Sequence, residues 1–173
     1  MKICLVAKFG SGKNATFDIL KTLNPNFKEL KFASKMYEVM SVTQRMLGLH
    51  LFKDAKFLQF IGQHFKDLFG MEFWIRQVEE DNYLDENFLC LTDGRFSFEI
   101  EWARQNGFTI VKLVRDDELR MPFRAGRDPN HISETALDHL PDSTYDYIIK
   151  NDGTLDDLQV KVKILYDNLL SKY

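Results

Sequence analysis

The feature that most constrains the fold is a short apolar run, residues 2–6, that leads directly into a glycine-containing turn and a lysine, Lys13. A buried strand that enters a glycine turn accounts for both parts of this segment. After Lys13, apolar residues recur at helical spacing until the Asn-Pro-Asn sequence at residues 24–26 ends the pattern. The chain therefore opens with a predicted strand, glycine loop and helix, a unit typical of parallel α/β sheets.

The rest of the chain continues to alternate strands with helices. Further strands are predicted at residues 27–32, 87–92, 108–114 and 145–149. Helices are predicted at residues 34–47, 53–69, 73–84 and 98–104, and a capping box at residues 154–157 opens a terminal helix. This order predicts an α/β fold, a three-layer sandwich in which helices cover both faces of a central parallel sheet.

The length of 173 residues predicts a single domain spanning residues 1–173. Within it, the helices at about 34–85 are expected to form an insert over a ligand site. The charged segment at about 115–131 has no apolar periodicity, so it is predicted to be a long surface loop that acts as a lid. A mobile, charged loop without function is the alternative for this segment.

Charge and cysteine content exclude several classes of function. The formal net charge of −3 argues against a general binder of nucleic acids or of acidic membranes. Cys4 and Cys90 both lie in apolar runs, without the spacing of a zinc site or a disulfide framework. No apolar run approaches the roughly 18 residues of a membrane span, and the opening is too short for a secretory signal. We expect a protein of the cytoplasm.

The glycine turn is similar to a phosphate-binding loop. The pattern GxxxxGK[ST] cradles phosphates with backbone N–H groups at a helix N-terminus, where the lysine adds positive charge. Here Gly12 and Lys13 stand between strand and helix, but Ala7 replaces the first glycine and Asn14 replaces the hydroxyl residue. A lysine-containing turn without phosphate is the alternative. If the turn is a phosphate-binding loop, the residues that bind ATP are Gly10, Ser11, Gly12, Lys13, Asn14 and Ala15.

A second chemistry-bearing segment follows the strand at residues 87–92. Asp93 and Arg95 stand at its carboxyl end, and Glu99 follows one helical turn later. Ligands of parallel sheets bind beyond the carboxyl ends of the strands. A carboxylate there suits a metal-bound water shell, and a structural Asp–Arg pair or a helix cap is equally consistent with the pattern.

Taken together, these segments resemble the phage deoxynucleoside monophosphate kinase family over nearly the whole chain. The resemblance is carried by an ordered set of short motifs: Gly-Ser-Gly-Lys at 10–13, Leu-Lys-Phe-Ala at 30–33 with Lys35, Leu-Gln-Phe-Ile-Gly at 58–62, Phe73-Trp74, Asp93-x-Arg95-Phe96-x-x-Glu99, His-Ile-Ser-Glu at 131–134 and Asn-Asp-Gly at 151–153. The chain departs from the family pattern at Asn14, where an acidic residue is common, and at Lys66, where an arginine is common.

The resemblance implies transfer of the γ-phosphoryl group of ATP to a deoxynucleoside 5′-monophosphate. Phosphoryl transfer depends mostly on positioning and on neutralising the charge of the phosphoryl oxygens. In this interpretation Lys13 holds ATP, and Asp93, through water, places Mg²⁺ with a contribution from Asn14. An arginine of the lid segment is expected to close over the phosphoryl group, and the candidates are Arg115, Arg120, Arg124 and Arg127. Of these, Arg115 is assigned to ATP binding. The predicted catalytic residues are Lys13, Asp93, Arg95 and Arg127.

The monophosphate is expected to dock over the helical insert. The candidates that contact it are Lys35, Arg45, Lys66, Trp74, Arg76, Arg95, Glu99 and Glu134. Arginine clamps a phosphate in two places, which favours Arg76 and Arg95. Trp74, Phe32 and Phe60 are candidates to stack on the base, although aromatic residues at helical spacing more often pack in a core. Each charged candidate has the alternative of a solvated helix charge.

Two other functions remain open from the sequence. One is a different small-molecule kinase of the phosphate-loop type, such as a dephospho-coenzyme A kinase or a relative of adenylate kinase. The other is a nucleotide-binding protein without turnover. This alternative stays open because Ala7 and Asn14 depart from the phosphate-loop pattern. The expected partner is a small-molecule deoxynucleotide, without a nucleic-acid polymer or a membrane. The terminal helix could pack on its own sheet or on a second copy, so a homodimer stays open.

Overall fold

A five-stranded, entirely parallel sheet organises the molecule. The computed structural model describes residues 1–80, 83–123 and 128–172. The strands are β1 (Lys2–Val6), β2 (Lys28–Leu30), β3 (Leu89–Gly94), β4 (Thr109–Val114) and β5 (Tyr147–Lys150). Their order is β2-β3-β1-β4-β5, and all neighbouring pairs are parallel. The predicted α/β fold with a central parallel sheet is confirmed.

Eight α-helices connect and cover the strands in the described part of the chain. They are α1 (Lys13–Leu23), α2 (Ser34–Met46), α3 (Ala55–Phe69), α4 (Phe73–Glu80), α5 (Ser97–Gln105), α6 (Asp117–Arg120), α7 (Ile132–Thr135) and α8 (Leu155–Leu170). Short 3₁₀ turns lie at Tyr83–Asp85, Met121–Phe123 and Asp142–Thr144. The predicted capping box is present, because Thr154 and Asp157 bond each other's backbone N–H groups at the start of α8.

Two apolar cores separate the sheet from its helices. Alternate residues of β1 enter opposite cores: Ile3 and Leu5 face α1 and α8, whereas Cys4 and Val6 face α4 and α5. All four side chains are buried. Central strands buried on both faces require continuous apolar runs, which explains the sequence pattern of β1 and β3. The three layers follow from this burial.

Several element boundaries differ from the sequence predictions for local reasons. The helix predicted from residue 53 begins at Ala55, because the carboxylate of Asp54 accepts a hydrogen bond from the Phe57 N–H and caps the helix. The strand predicted at 27–32 is limited to Lys28–Leu30, because the chain then turns toward Asp93. Of the helix predicted at 73–84, Phe73–Glu80 is helical, residues 81–82 lie outside the described residues, and Tyr83–Asp85 form a 3₁₀ turn.

The segment after β4 contains more regular structure than predicted. The described part of residues 115–131 includes α6 and a 3₁₀ turn, and α7 begins directly after it. Asp116 precedes α6, and the first turn of this helix carries Asp117 and Glu118, the acidic residues that favour a helix N-terminus. These helices are short, so they lack the repeated apolar spacing from which a helix can be recognised.

The strand order places three loops side by side. Because β1 lies between β3 and β4, the loops that follow these strands meet at the carboxyl edge of the sheet. The loop after β1 is the glycine turn, the loop after β3 carries Arg95, and the loop after β4 begins at Arg115. Such an edge is where open α/β sheets bind their ligands. Among the described residues, no helix is both long and apolar enough to cross a membrane.

Candidate active site

The glycine turn between β1 and α1 has a backbone shape that only glycine adopts readily. Gly10 and Gly12 have φ values of +72° and +101°. A Cβ atom on Gly10 would lie 2.6 Å from the Arg120 carbonyl oxygen, and one on Gly12 would lie 2.4 Å from Nδ2 of Asn151. Neighbouring chain segments therefore approach this loop so closely that a side chain would not fit.

Lys13 is the first residue of α1, and its ammonium group folds back over the loop. Its Nζ donates to the carbonyl oxygen of Ala7 and, at 3.3 Å, to that of Lys8. The first turn of α1, which the structure describes in full, holds no acidic side chain. The N-terminal end of the helix dipole and the lysine charge thus produce a positive end, which favours an anion.

One large cavity extends from this loop to the helices that follow β2. Its volume is about 620 Å³, within the range of roughly 300–1,000 Å³ common for small-molecule sites. The phosphate-loop residues line one end, and α2, α3 and α4 line the other. The predicted loop residues are all in this lining: Gly10, Ser11, Gly12, Lys13, Asn14 and Ala15.

Asp93, at the end of β3, anchors the chain that enters α2. Its two carboxylate oxygens accept hydrogen bonds from the N–H groups of Phe32 at 3.0 Å and Ala33 at 2.9 Å. Burial raises the pKa of Asp93 above its usual value, and the two backbone N–H groups oppose this shift. The carboxylate lines the cavity while it fixes the β2–α2 turn.

Arg95 is held in the cavity wall by Glu134. Its Nη1 donates to Glu134 Oε1 and, at 3.1 Å, to the carbonyl oxygen of Ser133. The other oxygen of Glu134 accepts a hydrogen bond from the Phe9 N–H at 2.9 Å. Glu134 is 5% exposed, and it connects the phosphate loop to the guanidinium group across 125 residues of sequence.

Glu99 fixes the backbone that carries Arg95. Its Oε2 accepts hydrogen bonds from the N–H groups of Arg95 at 2.7 Å and Phe96 at 3.1 Å. Burial raises the pKa of Glu99 to about 7. Lys66 of α3 lies 3.9 Å from Glu99 Oε1, and its Nζ is 3.5 Å from the ring centroid of Phe96. Burial also lowers the pKa of Lys66.

The predicted stacking aromatics divide between core and surface. Trp74 is buried, lines the cavity and donates its indole N–H to the Gly62 carbonyl oxygen at 3.0 Å. Phe32 also lines the cavity and packs against Trp102, with ring centroids 5.4 Å apart. Phe60 is 66% exposed, lies outside the cavity lining and stacks on His64.

Three predicted cations lie outside the cavity lining. Arg76 donates to the Phe69 carbonyl oxygen at 2.8 Å and so caps α3. Arg45 is exposed in the last turn of α2, and Lys35 pairs with Glu38 at 3.7 Å. Lys66, Arg95, Glu99 and Glu134, by contrast, all line the cavity.

The arginines predicted for a lid have different positions. Arg115 Nη1 donates to the Gly10 carbonyl oxygen at 3.1 Å, and its guanidinium lies 5.2 Å from the ring centroid of Phe123. Arg120 is buried, with its guanidinium 4.9 Å from the Phe9 ring centroid. Both side chains thus contact the phosphate loop. Arg124 and the predicted catalytic Arg127 lie outside the described residues.

Sequence reasoning did not assign site roles to Asn151 or Gln59. Asn151 Nδ2 donates to the Ser11 carbonyl oxygen at 3.0 Å, which joins the end of β5 to the phosphate loop. Gln59 lines the cavity from α3, and its buried Nε2 has no hydrogen-bond partner among the described residues. Gln59 and Gln63 are four residues apart on α3, a spacing that places them on one helix face and was the available signal.

The parallel sheet, the glycine loop before α1 and the cavity that extends from this loop to α2, α3 and α4 are typical of the P-loop kinases. Solved structures support the fold: shikimate kinase from Aquifex aeolicus has a TM-score of 0.56 at 16% identity and covers 98% of this chain and 99% of its own. Gluconokinase from Sinorhizobium meliloti has a TM-score of 0.52 at 12% identity, covering 99% and 96%.

The family model of deoxynucleotide monophosphate kinases matches residues 55–162, and the chain belongs to this family. It is therefore a phosphotransferase of the nucleoside monophosphate kinase class with a small-molecule nucleotide substrate. The expectation drawn from the sequence motifs is confirmed at this level, and the match carries no information about phage origin. A search of curated proteins found no match.

Proposed function

We propose that this kinase transfers the γ-phosphoryl group of ATP to a deoxynucleoside monophosphate across its large cavity, with Mg²⁺ as the metal. The observation that carries the proposal is that one cavity is lined by Lys13 of the glycine loop, by Lys66 of α3 and by Arg95. A reaction between two phosphate esters needs two anion sites that face each other at short range.

The loop end of the cavity suits the triphosphate of ATP. Its N–H groups and the α1 N-terminus favour phosphate oxygens, and Lys13 exchanges the carbonyls of Ala7 and Lys8 for those oxygens. Next to the loop, the cavity lining includes Arg115, Phe123 and Leu158. These side chains offer flat and apolar surface for the adenine base.

The helical end suits the acceptor nucleotide. Lys66 and Arg95 would hold its 5′-phosphate, and Glu99 and Glu134 position these two cations. The base would lie among side chains of α2, α3 and α4, where Tyr37, Gln59, Gln63 and Trp74 line the cavity. Arg45, Arg76 and Lys35 have no part in this proposal, because they lie outside the lining.

In the reaction, an oxygen of the acceptor phosphate forms a bond to the γ-phosphorus of ATP. The bond from that phosphorus to the β,γ-bridging oxygen breaks, and ADP leaves with the electron pair. The phosphoryl oxygens carry the charge of the transition state. Lys13 and Arg95 neutralise this charge. Because buried residues around them exclude water, the attraction between these cations and the phosphoryl oxygens stays strong.

The residues present fit a magnesium ion bound mainly by substrate. Mg²⁺ usually keeps several waters and takes only one or two protein ligands beside substrate phosphates. Asn14 and Asp93 offer oxygen donors to the same cavity, and each oxygen of Asp93 accepts one backbone N–H and so has a second lone pair. When bound, Mg²⁺ would supply charge neutralisation at the β- and γ-phosphates.

The test measures ADP release with ATP, Mg²⁺ and each of dAMP, dGMP, dCMP, dTMP and modified pyrimidine monophosphates. We expect turnover with at least one acceptor and its loss in Lys13→Ala. Lys21→Ala changes an exposed lysine on the same helix and should keep activity. Circular dichroism checks that each variant is folded. Absence of ADP release across the panel, or an active Lys13→Ala, would contradict the proposal.

A further inference from the structure

A second, smaller cavity lies beside the phosphate loop, where the end of β4 meets α6 and α7. Its volume is about 290 Å³. It shares some wall residues with the large cavity, among them Ser11 and Arg95. Lys112, Arg120 and Tyr145 line only the smaller one. No step of the proposed reaction uses these three side chains.

Three buried polar atoms on residues that line this cavity have no hydrogen-bond partner in the described part of the chain. They are Nε of Arg115, Nη1 of Arg120 and Oη of Tyr145. Burial raises the pKa of Tyr145, so its hydroxyl keeps its proton and can donate. Buried polar groups are nearly always paired, so a group of unpaired donors calls for a partner. All three atoms can donate, and the partner therefore needs acceptor oxygens.

The charge around the cavity favours an anion. Five cationic and three acidic residues line it. Each acid already has a cation: Asp117 pairs with Arg120, Glu134 with Arg95 and Asp138 with Lys8. Lys112 pairs at 2.9 Å with Asp142, whose side chain is 73% exposed. Arg115 bonds a backbone carbonyl, so the lining keeps excess positive charge.

We propose that this cavity binds a small oxyanion, phosphate or a phosphate-like group, through Arg115 Nε, Arg120 Nη1 and Tyr145 Oη. The volume of about 290 Å³ lies just below the roughly 300–1,000 Å³ found for small-molecule sites, which suits a small ion better than a nucleotide. An anion there would hold Arg120 against the phosphate loop, because this residue already contacts Phe9 and Gly10. The site does not depend on which nucleotide the large cavity accepts.

The experiment is a calorimetric titration of the full chain with inorganic phosphate, alone and with a non-hydrolysable ATP analogue and an acceptor nucleotide at saturation. We expect one phosphate to bind with the nucleotides present, whereas phosphate alone can also occupy the loop end of the large cavity. Tyr145→Phe removes only the hydroxyl and should weaken binding about tenfold, as for a lost hydrogen bond to a charged group. Arg120→Lys should weaken it similarly. Tyr147→Phe, two residues further along and outside the lining, should leave it unchanged.

The assignment is overturned by the absence of phosphate binding, by binding that disappears when nucleotides fill the large cavity, or by equal affinity in Tyr145→Phe and the wild type. Loss of affinity in Tyr147→Phe equal to that in Tyr145→Phe would also overturn it. The kinase assay is separate, so a failure of ADP release would refute the proposed reaction without deciding the phosphate site.

Discussion

Glu134 is the side chain whose removal tests the organisation of the site most informatively. Its two oxygens serve Arg95 and the Phe9 N–H, and its side chain is 2% exposed. Glu134→Gln keeps the shape of the side chain, but removes the charge and turns one acceptor into a donor. That donor then faces either an N–H group or a guanidinium, and neither can accept its hydrogen bond.

The expected cost follows from the burial of the two partners. Removing one member of a fully buried ion pair costs about 3–5 kcal/mol, because the other charge stays buried and unpaired. Arg95 keeps 20% of its side chain exposed and retains its bond to Ser133, which lowers the cost. We therefore expect Glu134→Gln to lower the free energy of unfolding by about 2–3 kcal/mol.

Urea unfolding followed by fluorescence of the two tryptophans measures this change. The matched control is Asp167→Asn, which breaks an exposed pair with Lys163 and should cost at most about 0.5 kcal/mol. The reasoning fails if Glu134→Gln unfolds within 0.5 kcal/mol of the wild type, roughly the scatter expected for surface changes. It also fails if the two variants are destabilised equally.

Three further predictions follow. Gly12→Ala should lose about 1–3 kcal/mol of stability and bind an ATP analogue more weakly, because the new Cβ combines positive-φ strain with a 2.4 Å approach to Nδ2 of Asn151. The control is Gly48→Ala, where φ is +67° and the Cβ meets open space. It should show only the smaller strain cost in thermal melts. Arg95→Ala should lower kcat/KM by roughly 100-fold or more, because Arg95 lines the cavity. Arg76→Ala, outside the lining, should keep kcat/KM within about threefold. A loss under tenfold for Arg95→Ala would mean that Arg95 has only a structural role. The pKa of Glu99 is about 7 in the folded protein against an ordinary 4.5, so its contribution to stability is full below pH 4.5 and is lost as pH rises through 7. Glu99→Gln should therefore flatten the decline of the unfolding free energy with pH, measured by urea unfolding. An unchanged pH slope would contradict the raised pKa of Glu99.

The layers of the fold could be predicted because a continuous apolar run can be buried in only a few kinds of structure. A run such as that in β3 must be covered on both faces, and this requirement alone places helices on either side of the sheet. The position of the glycine loop followed from the same reasoning, since it stands between β1 and α1. These features depend on residues that are close together in the chain.

The lining of the cavity at α2, α3 and α4, the proposed acceptor end, was harder to predict, because it depends on how each helix is rotated in the fold. The sequence favoured Arg76 over Lys66 as a phosphate clamp, yet packing turns Lys66 into the cavity and leaves Arg76 at the end of α3. Trp74 was the first candidate to stack on the base; its indole N–H donates to the Gly62 carbonyl oxygen. No local pattern distinguishes these orientations.

Contacts across long sequence separations were also beyond prediction. Glu134 reaches the Phe9 N–H, and Asn151 reaches the Ser11 carbonyl, across 125 and 140 residues. The motifs that contain Glu134 and Asn151 were noticed, but a motif does not identify the atom that its side chain bonds. The parallel sheet brings these segments together only at its carboxyl edge.

The most direct test of the central claim is a crystal structure with a non-hydrolysable ATP analogue. We expect the β- and γ-phosphates to contact the N–H groups of residues 10–13, and Nζ of Lys13 to leave the Ala7 carbonyl for phosphate oxygens. An analogue bound elsewhere, with Lys13 still on the Ala7 and Lys8 carbonyls, would contradict the assignment of this loop as the phosphate site.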